Sequence, residues 1–227
     1  MTFSVVARCQ ETGMFGMAVS SSSPAVAARC ANARAGVGAV SSQNITDPTL
    51  GPKALDLLEK GASAVQARDI LRQSNNHMNY RQVLIVDKDG NTAIHSGENS
   101  LGIFAEAEDH NIACAGNLLD NDGVPRAMIN CFKQTEGKGL YLGDRLIDVM
   151  RAALAAGGEA GPIHSIGMRL VDKVSWPVAD LRVDWTENCP VEELTKLWNI
   201  YKPQLADYVT RGINPSDAPS YGVPGDE

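Results

Sequence analysis

The residue best placed for chemistry stands at the start of the chain, where Thr2 directly follows Met1. The small side chain of Thr2 is of the kind that permits removal of the initiator methionine. After that removal, one residue carries a hydroxyl nucleophile and a free α-amine, which titrates at about 7.7 to 8.0 and can accept a proton near neutral pH. Position alone therefore allows Thr2 to attack an amide carbonyl. Small residues at position two are also common without any catalytic role.

A serine triad and a metal site are weaker alternatives. Ser165 or Ser20 can be combined on paper with His95 or His164, but no Gly-x-Ser-x-Gly motif surrounds any serine. The 4 histidines are scattered without the spacing of zinc ligands, so no metal is expected. The 5 cysteines form no Cys-x-x-Cys pair, which favours reduced thiols in the core.

Composition limits the partners. Hydrophobic residues make up 44% of the chain and charged residues 21%, as in an ordinary packed domain. The net charge of -7 comes with no cluster of Lys and Arg, so nucleic acid is not expected as a partner. No apolar segment approaches a membrane span, and we predict a cytoplasmic protein without membrane contact. No Gly-x-Gly-x-x-Gly motif follows a strand, and no cofactor is predicted.

Periodicity and turn residues predict blocks of strands that alternate with pairs of helices. Such blocks favour layers of helix, sheet, sheet and helix over a doubly wound sheet. The predicted strands are Thr2–Arg8, Gly13–Ser20, Gly36–Gln43, Gln82–Asp87, Thr92–Ser96, Ile112–Ala115, Ser165–Val171 and Trp176–Trp185. The predicted helices are residues 51–60, Ser63–Arg72, Val124–Gln134, Leu140–Ala156 and Pro190–Ala206.

The end of the chain differs from the rest in composition. Residues 1–211 are predicted to form one domain, and residues 212–227 an extended tail rich in proline and glycine. Three prolines, at 215, 219 and 224, prevent regular structure there. We expect the tail to lie over the surface or over a neighbouring subunit, which makes a homo-oligomer, most simply a dimer, a hypothesis.

Several short motifs together resemble a known family. They are Thr-Phe-Ser-Val-Val-Ala-Arg at 2–8, Gly-Met-Ala-Val-Ser-Ser-Ser at 16–22, Arg-Ala-Gly-Val-Gly-Ala-Val-Ser-Ser-Gln-Asn at 34–44, and shorter matches at 80–82, 116–118, 157–159 and 164–165. The chain resembles the bacterial domain-of-unknown-function family numbered 1028, which is placed in the N-terminal nucleophile (Ntn) hydrolase superfamily. The resemblance implies a four-layer αββα sandwich and brings no established reaction.

The resemblance also implies roles for individual residues. Thr2 becomes the nucleophile, and Arg34 becomes a cation that stabilises its reactive form, unless Arg34 is a solvated residue at a strand end. Oxyanion donors are expected from Asn117, unless it is a turn residue, and from the strand end that contains Ser41, Gln43 and Asn44.

The remaining candidates are expected to contact the substrate. Ser20 and Ser22 belong to the second motif, and the pair His164 and Ser165 follows a glycine-rich turn, from which both side chains could reach a pocket.

Two functions are therefore compared. The leading hypothesis is a hydrolase of a small amide, peptide or cyclic amide with Thr2 as nucleophile. The rival is a non-catalytic protein of the same fold that binds a small ligand or serves in assembly, and that keeps Met1. A retained Met1 leaves Thr2 with an amide nitrogen, which is not a base.

Overall fold

The computed structural model describes residues 2–225, and Met1 and the last two residues of the predicted tail lie outside that range. The described residues contain ten strands and seven α-helices. The strands are β1 Thr2–Arg8, β2 Phe15–Ser21, β3 Ala31–Arg34, β4 Gly38–Asn44, β5 Arg81–Asp87, β6 Thr92–Ser96, β7 Ala105–Asp109, β8 Ile112–Asn117, β9 Ser165–Val171 and β10 Ala179–Val183. The helices are α1 Val26–Cys30, α2 Leu50–Glu59, α3 Ala64–Ser74, α4 Val124–Gln134, α5 Leu142–Ala155, α6 Pro190–Tyr201 and α7 Leu205–Ile213.

The strands form two antiparallel sheets. The larger sheet has six strands in the order β10-β9-β2-β1-β8-β7, and the smaller has four in the order β3-β4-β5-β6. β1 therefore lies in the middle of the larger sheet, with β2 on one side and β8 on the other. Every residue of β1 from Thr2 to Ala7 is buried, as expected of a strand covered on both faces.

Alternation along β1 divides its side chains between two cores. Phe3 and Val5 pack with residues of α4, α5 and α6 on one face of the larger sheet. Val6 points to the other face and packs with residues of the smaller sheet, such as Leu84. A third apolar cluster joins the far face of the smaller sheet to α2 and α3. The predicted mixed α/β fold with antiparallel sheets and helices is confirmed.

The helix ends follow from local chemistry that the sequence displays. Ser63 caps α3 by accepting the backbone N–H of Gln66, whose side chain accepts the backbone N–H of Ser63. Pro125 lies in the first turn of α4, where its missing N–H costs nothing. Both helices begin within a residue of the predicted positions.

Four elements were missed in whole or in large part, namely α1, β3, β7 and α7, which extends to Ile213 beyond the predicted end of the last helix at Ala206. β7 is an edge strand whose Glu106 and Glu108 are exposed, so its pattern lacks the apolar run of a buried strand.

Near the C-terminal end of the chain, α7 continues to Ile213. Arg211 contacts the segment after this helix, because its guanidinium donates to Pro219 O at 2.8 Å and lies 3.7 Å from the centroid of the Tyr221 ring. The described helices include none long and apolar enough to cross a membrane.

Candidate active site

Thr2 opens the central strand of the larger sheet and is only 6% exposed. Its side chain lies on the same face as Ser4 and Val6, which is the face that meets the smaller sheet. On β2, the Ser21 hydroxyl oxygen lies 3.3 Å from Thr2 Oγ1, within hydrogen-bond distance. On β8, Asn117 stands directly opposite Thr2. Thr2 is therefore held in place from both neighbouring strands.

A chain of buried hydrogen bonds joins the two sheets beside Thr2. Ser4 Oγ donates to Gln43 Oε1 at 2.6 Å, and Gln43 Nε2 donates to Gln82 Oε1 at 2.6 Å and to Ala115 O at 3.2 Å. Asn117 Nδ2 also donates to Gln82 Oε1, at 3.3 Å. We call Ser4, Gln43, Gln82 and Asn117 the inter-sheet amide cluster. A buried polar group without a partner is destabilising, so this cluster fixes how the sheets face each other.

The cluster limits which predicted residues are free to bind an oxyanion. Both amide hydrogens of Gln43 are directed to protein acceptors, so its side chain serves the framework. Ser41 Oγ donates toward Gln43 Oε1 over a long 3.5 Å. Asn117 has a second amide hydrogen besides the one that it donates to Gln82. Asn117 is thus the best placed of the predicted donors.

The serines on the other side of β1 are bonded to backbone groups. Ser20 Oγ donates to Ser165 O at 2.9 Å, and Ser165 Oγ donates to Ser23 O at 2.6 Å. Ser20 shares its face with Ala18, which packs toward the helices, so its side chain points away from Thr2. Ser22 is partly exposed and follows directly on Ser21, whose hydroxyl faces Thr2.

The histidines do not complete a triad within the described part of the chain. His164 Nδ1 is 2.9 Å from Thr186 O, and its ring stacks on Trp185 with centroids 4.3 Å apart. His95 Nε2 is 2.9 Å from Met78 O. Neither imidazole forms a hydrogen bond with a serine hydroxyl, so the structure offers no base to Ser20 or Ser165.

Two predicted residues lie away from Thr2, and their expected roles are corrected. Arg34 on β3 pairs with Gly38 of β4. Gly38 is five residues, or about 17 Å, along β4 from Gln43, which belongs to the cluster beside Thr2. The Arg34 guanidinium forms ion pairs with Asp56 and Glu59 of α2, at 2.9 and 2.8 Å. Arg34 is therefore a partly exposed surface cation and not a neighbour of Thr2.

Asn44 is hydrogen-bonded to two other segments of the chain. It has a positive φ of 71°, which asparagine tolerates better than most residues. Its amide donates to Tyr80 O at 2.6 Å and accepts from Leu101 N at 3.2 Å. Because both ends of the amide bond to backbone groups of loops, Asn44 positions those loops and does not face Thr2 with a free donor.

Glu159 is a buried carboxyl group near Thr2 that the sequence analysis did not select. It follows Gly157 and Gly158, whose φ values of 118° and 62° form the turn that brings it back toward the sheet. Glu159 Oε2 accepts the Ser22 N–H at 3.3 Å, and Oε1 has no hydrogen-bond partner among the described residues. Burial raises the pKa of Glu159 to about 7. Such a group can exchange a proton near neutral pH.

The comparison with protein families gives one match, to the family described as "Family of unknown function (DUF1028)", over residues 2–194. The chain belongs to the DUF1028 family. No curated protein matches the sequence.

Solved structures similar to this DUF1028 protein include one from the same family. Protein SPO2555 from Silicibacter pomeroyi, titled with the DUF1028 family, has a TM-score of 0.81 and 26% identity over 91% of this chain and 92% of that chain. A second match is Anbu (ancestral beta-subunit) from Yersinia bercovieri, with a TM-score of 0.39 and 13% identity over 92% of this chain and 97% of that chain. A score as low as the second one carries no conclusion about fold or function.

Thiol and metal chemistry find little support in this DUF1028 protein. Cys30 and Cys114 are buried, and burial raises the pKa of both thiols, so the reactive thiolate is disfavoured. Within residues 2–225, no group of three or more His, Cys, Asp or Glu side chains could hold a metal ion.

Two of the DUF1028 site residues carried a signal that the sequence analysis recorded without using. Gln82 and Glu159 both end short motifs on which the family resemblance was based, at 80–82 and 157–159. Ser4 and Ser21 also lie inside motifs of that resemblance, at 2–8 and 16–22, but a serine in a strand gave no reason to select them.

Proposed function

We propose that this protein is an Ntn-type hydrolase of a small amide, peptide or cyclic amide, and that Thr2 becomes its nucleophile when Met1 is removed. The proposed framework is the four-layer αββα sandwich of that superfamily. The packing of α4, α5 and α6 on one sheet, and of α2 and α3 on the other, supports this arrangement.

The observation that carries the proposal is the position of Thr2. It is the first residue of a central strand, its hydroxyl is 3.3 Å from that of Ser21, and it faces the space between the sheets. A threonine in an unremarkable position would be expected at an exposed chain end, since the first residues of most domains are poorly ordered unless they are tied down. Here six buried residues in a row hold the start of the chain.

The reaction follows from these groups. Thr2 Oγ1 attacks the substrate carbonyl carbon while its proton passes to the α-amine, directly or through one water. The second amide hydrogen of Asn117 points to the same end of the sheet and can stabilise the oxyanion that forms. The protonated α-amine then returns the proton to the leaving nitrogen as the C–N bond breaks, and water hydrolyses the resulting ester.

The first test is the intact mass and N-terminal sequence of protein purified from its native host at ordinary expression level. A chain that begins at Thr2 supports the proposal. A chain that begins at Met1 excludes this mechanism, and the non-catalytic binding protein of the same fold becomes the better description.

The second test is a screen of chromogenic acyl anilides and small cyclic amides with three proteins. Thr2→Val keeps the shape of the side chain and removes the hydroxyl, whereas Thr2→Ser keeps the hydroxyl. We expect Val to reduce the rate at least about 1000-fold and Ser to retain measurable turnover. Equal rates for the wild type and Thr2→Val would exclude Thr2 as the nucleophile.

A further inference from the structure

Glu159 lies across the start of β1. The strand register pairs Phe3 with Ser20 on β2 and Thr2 with Asn117 on β8. Beyond Thr2, the flanking positions are therefore Ser22, directly after β2, and the residues that follow Asn117 at the end of β8. Glu159 contacts both of these flanking positions. Its Oε2 accepts the Ser22 N–H at 3.3 Å, and its backbone forms a β-bridge with Leu119. A residue that contacts both neighbours of β1 beyond Thr2 must lie close to the Thr2 nitrogen.

The carboxyl group at this position has no side-chain counter-ion among the described residues. Glu159 is only 6% exposed, and Oε1 has no hydrogen-bond partner among residues 2–225. No described Lys, Arg or His side chain lies within ion-pair distance of it. Buried carboxylates are normally paired, because an isolated one is strongly destabilised by the loss of water. The opposite charge that acts on Glu159 is the α-ammonium group at the start of the chain, which lowers the pKa that burial raises.

We propose that Glu159 binds the α-ammonium group of Thr2 in the chain from which Met1 has been removed, and that it is the positioning residue for that group. The inference rests on the proposed function, because only removal of Met1 creates an α-amine on Thr2. The free Oε1 is the atom that accepts the ammonium N–H, while Oε2 stays bonded to Ser22.

This ion pair has a defined effect on the reaction. When the Thr2 O–H bond breaks and its proton joins the α-amine, the new ammonium forms beside a carboxylate that keeps its charge. The opposite charge stabilises the ammonium, so the amine becomes a stronger base. The proton later goes to the leaving nitrogen, and Glu159 returns to its original state without exchanging any atom with the substrate.

The test measures the pKa of the Thr2 α-amine. Protein that begins at Thr2 is prepared by removing an N-terminal fusion with a protease that leaves Thr2 first. The rate of carbamoylation of that amine by cyanate is followed across the pH range by peptide mass spectrometry, and the inflection of the profile gives the pKa. The proteins are the wild type, Glu159→Gln, Glu159→Asp and a control, Glu136→Gln, whose exposed glutamate lies in the turn after α4.

We expect Glu159→Gln to lower the α-amine pKa by at least about one unit, as loss of an adjacent opposite charge does. Glu159→Asp keeps the charge on a shorter side chain, so its α-amine pKa is expected to lie between those of the wild type and Glu159→Gln. Glu136→Gln is expected to match the wild type. The same inflection in the wild type and in both Glu159 variants would overturn the proposal, and a variant that does not fold leaves the other one to decide.

The result of this pKa measurement does not depend on whether the protein is a hydrolase. Because the fusion supplies the Thr2 terminus, the ion pair can be found even when the native chain keeps Met1 and hydrolyses nothing. Conversely, an active enzyme in which Glu159→Gln leaves the inflection unchanged would keep the hydrolase and remove the role of Glu159.

Discussion

Glu159 should make the stability of the Met1-containing chain depend on pH in a way that one substitution removes. Its pKa is about 7 in the folded protein against an ordinary value of 4.5, and burial is the largest cause. A carboxyl group with a raised folded pKa holds its proton more tightly when folded. Stability is therefore greatest below pH 4.5 and falls as the pH rises to about 7, where the loss is complete.

The size of the effect follows from the shift. Each pKa unit corresponds to about 1.4 kcal/mol, so a carboxyl that titrates at about 7 instead of 4.5 costs about 3 kcal/mol when fully ionised. About 1 kcal/mol of this is already present at pH 5, because the unfolded carboxyl is then mostly ionised. When the pH rises from 5 to 8, the free energy of unfolding of Glu159→Gln should increase by about 2.5 kcal/mol relative to that of the wild type. Any constant cost of burying the carboxamide cancels in this comparison.

The assay is urea unfolding followed by tryptophan fluorescence at pH 5 and pH 8, with the wild type, Glu159→Gln and the exposed control Glu136→Gln. The control should differ from the wild type by the same amount at both pH values. An equal effect of Glu159→Gln at pH 5 and pH 8 would falsify the assignment of a buried carboxyl whose pKa is raised. In the chain that begins at Thr2, the proposed ion pair should make the gain smaller.

Three further outcomes are expected. Gln43→Ala leaves the Ser4 hydroxyl without its acceptor and removes one of the two amide donors to Gln82 Oε1. It should lower the free energy of unfolding by about 2 to 4 kcal/mol in urea, and a loss below about 1 would show that the cluster adapts. Arg34→Ala should cost less than about 1 kcal/mol and leave any amidase rate unchanged, since its ion pairs are exposed, whereas a large rate loss would restore its predicted role. Native-state labelling with a thiol reagent, read by peptide mass, should modify exposed Cys189 first and reach buried Cys114 only after unfolding, and the opposite order would contradict the core packing.

Most of the secondary structure could be predicted because nearby turn residues and hydrophobic periodicity indicate where the elements lie. The predicted bounds of β1, β6, β9 and α4 agree with the structure at both ends. Each has either a turn residue or a proline next to it, and each has a hydrophobic period that suits a buried element. The elements that were missed lack these marks. β3 has four residues and no large apolar side chain, and it becomes a strand only because β4 offers it an edge.

The candidate site was predictable only in part. Thr2 and Asn117 are 115 positions apart in the chain, and the family resemblance rather than their spacing selected both. Gln43 was selected as part of the strand end that supplies oxyanion donors, but its amide group donates to Gln82 and Ala115 and therefore serves the framework. Glu159 comes from a loop that no sequence pattern connects to β1. The burial of Glu159, and the lack of a hydrogen-bond partner for its Oε1 among the described residues, are properties of the folded chain, so they could not be predicted before the packing was known.

The central position of β1 also has a practical meaning for anyone who handles this protein. A tag fused at the N-terminal end would place extra residues next to the buried start of β1, where Glu159 contacts Ser22 and Leu119. The opposite terminus has no such restriction, since the residues after α7 are exposed. Samples prepared for labelling, crystallisation or immobilisation are therefore best attached by the C-terminal end, and a test of the proposed activity needs a chain without an N-terminal tag.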